Sequence, residues 1–180
     1  MPKSSAAWKR NSPPKPENTL HFSIPMSTLL HAEVTGRFDH AGNANALVYS
    51  PLASPHTYHA TRRYVLELAE NTPEAAAAAR TFVETTLVEE VSQQAHFGEA
   101  PALHGHTFIL DYGFKPGALD LERETILGYY RSLPDPGFTL KKLTITQRLY
   151  IFAEHDAAPP EKFVRDIVNP AIHRHQVIAA

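Results

Sequence analysis

Between Tyr58 and Glu70 the sequence YHATRRYVLELAE alternates, with Tyr64, Leu66 and Leu68 on one side and Arg63, Val65 and Glu67 on the other. A period of two over that length predicts a half-buried β-strand. The period then lengthens. In NTPEAAAAARTFVETTLVEEVSQQ, Ala79, Val83, Leu87 and Val91 recur at every fourth position and form the stripe of an amphipathic helix. Thr72 suits the N-cap, Pro73 the first helical position and Glu74 the first turn, where a carboxylate meets the positive end of the helix dipole. The helix is expected to end before Gly98. Upstream, LLHAEVTGRF from Leu29 to Phe38 has strand composition, and the Asp, Gly and Asn of DHAGNA favour a turn after it.

The second half repeats these signals. HTFILDYGF places His106, Phe108, Leu110, Tyr112 and Phe114 on one strand face. Lys115-Pro116-Gly117 ends that strand, since proline has no amide to donate and glycine tolerates the turn. Asp120 is placed to cap a helix whose apolar side is Ile126, Tyr129, Tyr130 and Leu133. LPDPG breaks it. In TLKKLTITQRLYIFAEHD, Leu143, Ile145, Leu149 and Ile151 alternate against Thr144, Thr146, Arg148 and Tyr150, predicting a second long strand. PPEKFVRDIV reads as a last helix, closed by Asn169-Pro170.

Both halves therefore run in a common order: a strand ending near an Asp-containing corner, a connection, a long strand, a helix. The long strands carry RRYVLELAE and QRLYIFAEH, and Phe82-Val83 matches Phe163-Val164 in the helices that follow. The expected fold is α+β: two strand/helix units, 29–98 and 99–180, sharing a mainly antiparallel sheet around a pseudo-twofold axis, with helices covering it as a two-layer sandwich. Residues 1–28, which open on the Pro-, Ser- and Lys-rich MPKSSAAWKRNSPPKPENTL, read as a flexible tail in which Trp8 is a lone tryptophan among polar residues.

Composition narrows the function classes. The 180 residues carry 17 basic and 19 acidic side chains for a net charge of -2, so no overall field draws the chain toward nucleic acid or anionic lipid. No apolar run reaches membrane-spanning length, and a cytoplasmic protein is expected. There is no cysteine, which excludes disulfides, thiolate metal sites and cysteine-nucleophile chemistry such as a class I glutaminase reaction. Neither a P-loop nor another glycine-rich phosphate loop is present.

FILDYGFKPGALDLERETILGYYRSL followed by TLKKLTITQRLYIF resembles the PurS family of small purine-biosynthesis subunits, in which a strand runs into Lys-Pro-Gly-aliphatic-Asp, then a helix and a second strand. RRYVLELAENTPEAAAAARTFVETTLVEEV resembles the latter part of the same module, and VNPAIHRHQV its closing Asn-Pro run. The likeness covers Phe108 to Val177 well, Tyr58 to Gln94 fairly, and Leu29 to Ala46 weakly. A tandem arrangement is similar to the N-terminal domain of large phosphoribosylformylglycinamidine synthases. The resemblance implies a structural part of an ATP- and glutamine-dependent ligase complex, bridging synthetase and glutaminase subunits, with possible self-association. It implies no catalytic or cofactor-binding residue in this chain, and gives Lys115, Pro116, Gly117, Asp120, Asn169 and Pro170 a structural role.

An alternative comes from the 11 histidines. AHFGEAPALHGHTF brings His96, His104 and His106 close in sequence, and three imidazoles with an open fourth position would suit catalytic zinc. The His-Gly-His run also resembles the metal motif of 6-pyruvoyl-tetrahydropterin synthases over a handful of residues. The plainer reading is polar histidines in a loop between two units. A ferredoxin-like binding module with an unrelated partner fits the same fold. Arg62-Arg63, Lys141-Lys142 and Asp111 read as solvated or hydrogen-bonded strand residues, Tyr129-Tyr130 as core, and His173 with His175 as a frayed terminus.

Overall fold

The computed structural model describes residues 28–38 and 40–180. Trp8 and the basic residues of the expected tail lie outside these, although Thr28 already opens the first strand. The element order is β1 (Thr28–Gly36), β2 (Gly42–Asn43), a 3-10 turn (Ala44–Leu47), β3 (His56–Leu68), α1 (Pro73–Thr86), β4 (Gln93–Phe97), β5 (Phe108–Phe114), α2 (Leu121–Ser132), β6 (Leu140–Ala153), α3 (Pro160–Ile167) and β7 (His173–Ala179). Among the described residues the architecture is α+β, with three α-helices against one face of a seven-stranded sheet.

The strands lie in the order β4-β1-β3-β6-β5-β7, with β2 paired to β3, and every pairing is antiparallel. The order is symmetric about the β3/β6 boundary: a long inner strand, its predecessor, then the strand that follows the helix. β3 and β6 pair from His56↔Ala153 to Leu68↔Leu140, with a register shift between Glu67 and Leu68. This long seam joins the halves.

Alternation sorts the side chains. One core cluster gathers Leu30, Ala32, Val34, Tyr64, Leu66 and Leu68 from β1 and β3 with Ala75, Ala79, Phe82 and Val83 from α1, and also takes Ile126, Phe138, Leu143 and Ile145 from the second half. The other packs Phe163 and Val168 against Phe108, Leu110, Leu149 and Ile151, together with Ala44 and Leu52 from the first half. Neither cluster belongs to one half alone. Each fully buried Leu, Ile or Phe contributes about 1.5–3 kcal/mol.

Caps form where the sequence places them: Thr72 accepts from the Ala75 amide and Asp120 from the Arg123 amide. The Lys-Pro-Gly corner is a turn in which Ala118 N–H bonds the Lys115 carbonyl and Gly117 has φ +88°. Lys115 also donates its amide to the Ile172 carbonyl and its ammonium to the Pro170 carbonyl, so this corner and the Asn169-Pro170 turn hold each other.

Several expectations are corrected. α1 ends at Thr86, with Leu87 as C-cap, so the helical stripe is Ala75, Ala79, Phe82 and Val83, and Val91 lies beyond it at 75% exposure. QQAHF, read as the helix end, is the edge strand β4. His173 and His175 belong to β7, because HRHQVIA finds hydrogen-bonding partners along β5. His106 precedes β5, and Tyr129 stays half exposed while stacking on Phe82.

Candidate functional site

The sheet face opposite the helices carries a buried ionic network. Glu33, Asp111 and Arg148 are 2%, 8% and 3% exposed. Their strand positions repeat: Glu33 on β1 pairs with Arg63 on β3, and Asp111 on β5 pairs with Arg148 on β6. The contacts cross between halves. Arg148 donates from Nε to Asp111 Oδ2 at 2.8 Å and from Nη1 to Glu33 Oε2 at 2.7 Å. Arg63 Nη1 stands 3.7 Å from Asp111 Oδ2.

Glu33 is saturated as an acceptor. Its Oε1 receives the Thr61 hydroxyl at 2.5 Å and the Tyr150 hydroxyl at 2.6 Å, while Oε2 receives Arg148 and, at 3.4 Å, the Ala102 amide. Two carboxylates and two guanidiniums balance, which allows these charges to be buried. Burial disfavours the Arg148 cation, but its bond to Asp111 and the Glu33 charge outweigh this and raise its pKa. Burial, the hydrogen bond to Glu33 and the Glu33 charge push the Tyr150 phenol up to about 12.

The connection between β4 and β5 folds over one end of the network. The Ala102 amide donates to the Tyr150 hydroxyl at 3.0 Å, and the His106 ring meets Tyr150 edge-on at 5.3 Å between centroids. His31 accepts from Arg63 Nη2 on Nδ1 at 2.7 Å, placing its proton on Nε2. Burial, then the Arg63 charge, lower its pKa, while Glu99 opposes them.

The metal candidates separate. His96 lies on β4 beside Thr35, with Nε2 at 3.1 Å from its hydroxyl; His104 is exposed; His106 Nδ1 bonds the Leu103 carbonyl at 3.1 Å. Among the described residues no three His, Asp or Glu side chains form a metal-binding group. The strand-surface readings divide, with Asp111 hydrogen-bonded and Lys141-Lys142 solvated as expected but the two arginines paired. Asp111 and Arg63 belong to the network, whereas Arg62 faces the helices and pairs with Glu122 at 3.3 Å, and Lys141 and Lys142 are exposed. Reading Thr144, Thr146, Arg148 and Tyr150 as the polar side of β6 found the correct face but not its burial. Glu33 had no sequence signal beyond a lone carboxylate within LLHAEVTG.

No helix among the described residues is long and apolar enough to cross a membrane. No protein-family model, curated protein or solved structure matches the chain significantly.

Proposed function

We propose that this chain is a non-catalytic assembly module of the PurS-like kind, built from a duplicated unit and bridging the synthetase and glutaminase of a glutamine-dependent ligase. The observation that carries the reading is the symmetric sheet order, with a carboxylate on each outer-lying strand facing an arginine on the adjacent central strand: Glu33 with Arg63, and Asp111 with Arg148. The second half runs β5-α2-β6-α3-β7, and the first half differs mainly in having β2 and a 3-10 turn in place of the first helix. Its weaker likeness over Leu29–Ala46 coincides with that replacement. The network supports scaffolding: its charged groups bind each other across the halves, which rigidifies the sheet but ties up the carboxylates that general acid-base chemistry would use.

The test is co-elution of the chain with the synthetase and the glutaminase of the same organism, by size-exclusion chromatography at micromolar concentration with nucleotide present. A shared peak with both proteins supports bridging. Independent elution from both overturns the purine assignment and leaves the fold.

A further inference from the structure

We propose that the uncovered part of the sheet's open face binds a small metabolite through a phosphate or carboxylate group held between Arg63 and Arg174. A trough of about 410 Å³ lies there, across β1, β3, β6, β5 and β7, within the size range of small-molecule sites. Register explains its shape. Arg63 pairs with Thr146, Gly113 pairs with Arg174, and Gly113 lies against Thr146, so a single cross-strand line runs Arg63-Thr146-Gly113-Arg174. Two small residues thus form a floor between two arginines three strand spacings apart, roughly 14 Å at the backbone. Long guanidinium side chains from both sides can converge on an oxyanion over that floor.

Hydrogen-bonding capacity points the same way. Of the three buried side-chain polar atoms that lack a hydrogen-bond partner among the described residues, two belong to residues lining this trough: Thr146 Oγ1, and His31 Nε2, which has the exposed Glu99 carboxylate at 3.5 Å. With Nδ1 accepting from Arg63, His31 Nε2 carries a hydrogen that an anion can share with Glu99, and Thr146 offers a free hydroxyl. Arg174 forms no ion pair among the described residues, unlike the mutually neutralised Glu33, Asp111, Arg63 and Arg148, so it brings an unpaired cation to the trough, with the exposed Glu99 beside His31 as the remaining nearby anion. Asp111 makes its ion pairs through Oδ2, leaving Oδ1 to accept from a hydroxyl on the ligand. The ligand class is therefore a small hydroxylated phosphate ester or hydroxy acid.

Isothermal titration of the full chain with inorganic phosphate, glycerol phosphate and malate, at constant ionic strength, separates the sources. Binding of glycerol phosphate tighter than inorganic phosphate assigns the phosphate-ester class, and preference for malate assigns the carboxylate class. In either case Arg174→Gln, on an exposed edge strand, should weaken binding about tenfold. Thr146→Val, which removes the hydroxyl at nearly constant shape, should weaken it several-fold. Circular dichroism verifies that both variants retain the fold. The proposal is overturned if none of the three probes binds by about 10 mM, or if Arg174→Gln binds as tightly as the unaltered chain.

Discussion

Replacing Arg148 by Met tests the ionic seam most severely. The side chain is 3% exposed and donates to a carboxylate from each half, at 2.7 Å and 2.8 Å. Methionine fills much of the same volume but leaves Glu33 with only neutral donors and Asp111 with Arg63 at 3.7 Å as its remaining cation. Breaking a buried pair from one side costs about 3–5 kcal/mol, which for a chain of this size lowers Tm by roughly 10 °C. Urea unfolding followed by far-ultraviolet circular dichroism measures the loss. Glu33→Gln removes one stranded charge, so the double variant should recover about 1–3 kcal/mol relative to the sum of the single losses. A loss under about 1 kcal/mol for Arg148→Met, or strict additivity in the double variant, would refute the claim that this network holds the halves together.

At the Lys-Pro-Gly corner, Gly117→Val should cost about 1–3 kcal/mol through backbone strain alone, because φ is +88° and no heavy atom would lie within 4 Å of the new Cβ; an unchanged Tm would contradict this. Burial and the Arg63 charge depress the pKa of His31 below its ordinary 6.5, so the stability it contributes is present above that pH and lost as pH falls through the folded value; His31→Asn should flatten the acid limb of Tm against pH. Elemental analysis of purified protein should find far less than one zinc per chain, and His104→Asn with His106→Asn should leave Tm nearly unchanged; stoichiometric zinc would promote the metalloenzyme alternative.

Long elements were legible because their periodicity and punctuation agree. β3, β6, α1 and α2 carry clean alternation or a helical stripe, and Thr72, Asp120 and Gly117 act as their residue types require. The polar edge strands β4 and β7 were not, since QQAHF and HRHQVIA gain strand character from the neighbours they pair with. The candidate site was half visible. Alternation identified a polar face, but burial of Arg148 and Glu33 depends on contacts 115 residues apart. Gly113 was equally opaque: it faces β6 so closely that a Cβ would lie 2.6 Å from the Ile145 carbonyl oxygen. The matched RR and QR dipeptides of the long strands were the one available pointer. They place Arg63 and Arg148 at corresponding positions, and the strand pairings then set Glu33 and Asp111 opposite them.

The most direct test of the proposed bridging role compares two nitrogen sources in a reconstituted reaction containing the synthetase and glutaminase of the same organism, with and without this chain. A bridge that contributes no chemistry should restore amidine formation from glutamine while changing ammonia-dependent turnover by the synthetase much less, and the chain alone should neither hydrolyse glutamine nor consume ATP. Equal stimulation with both nitrogen sources, or no stimulation with glutamine, would contradict it.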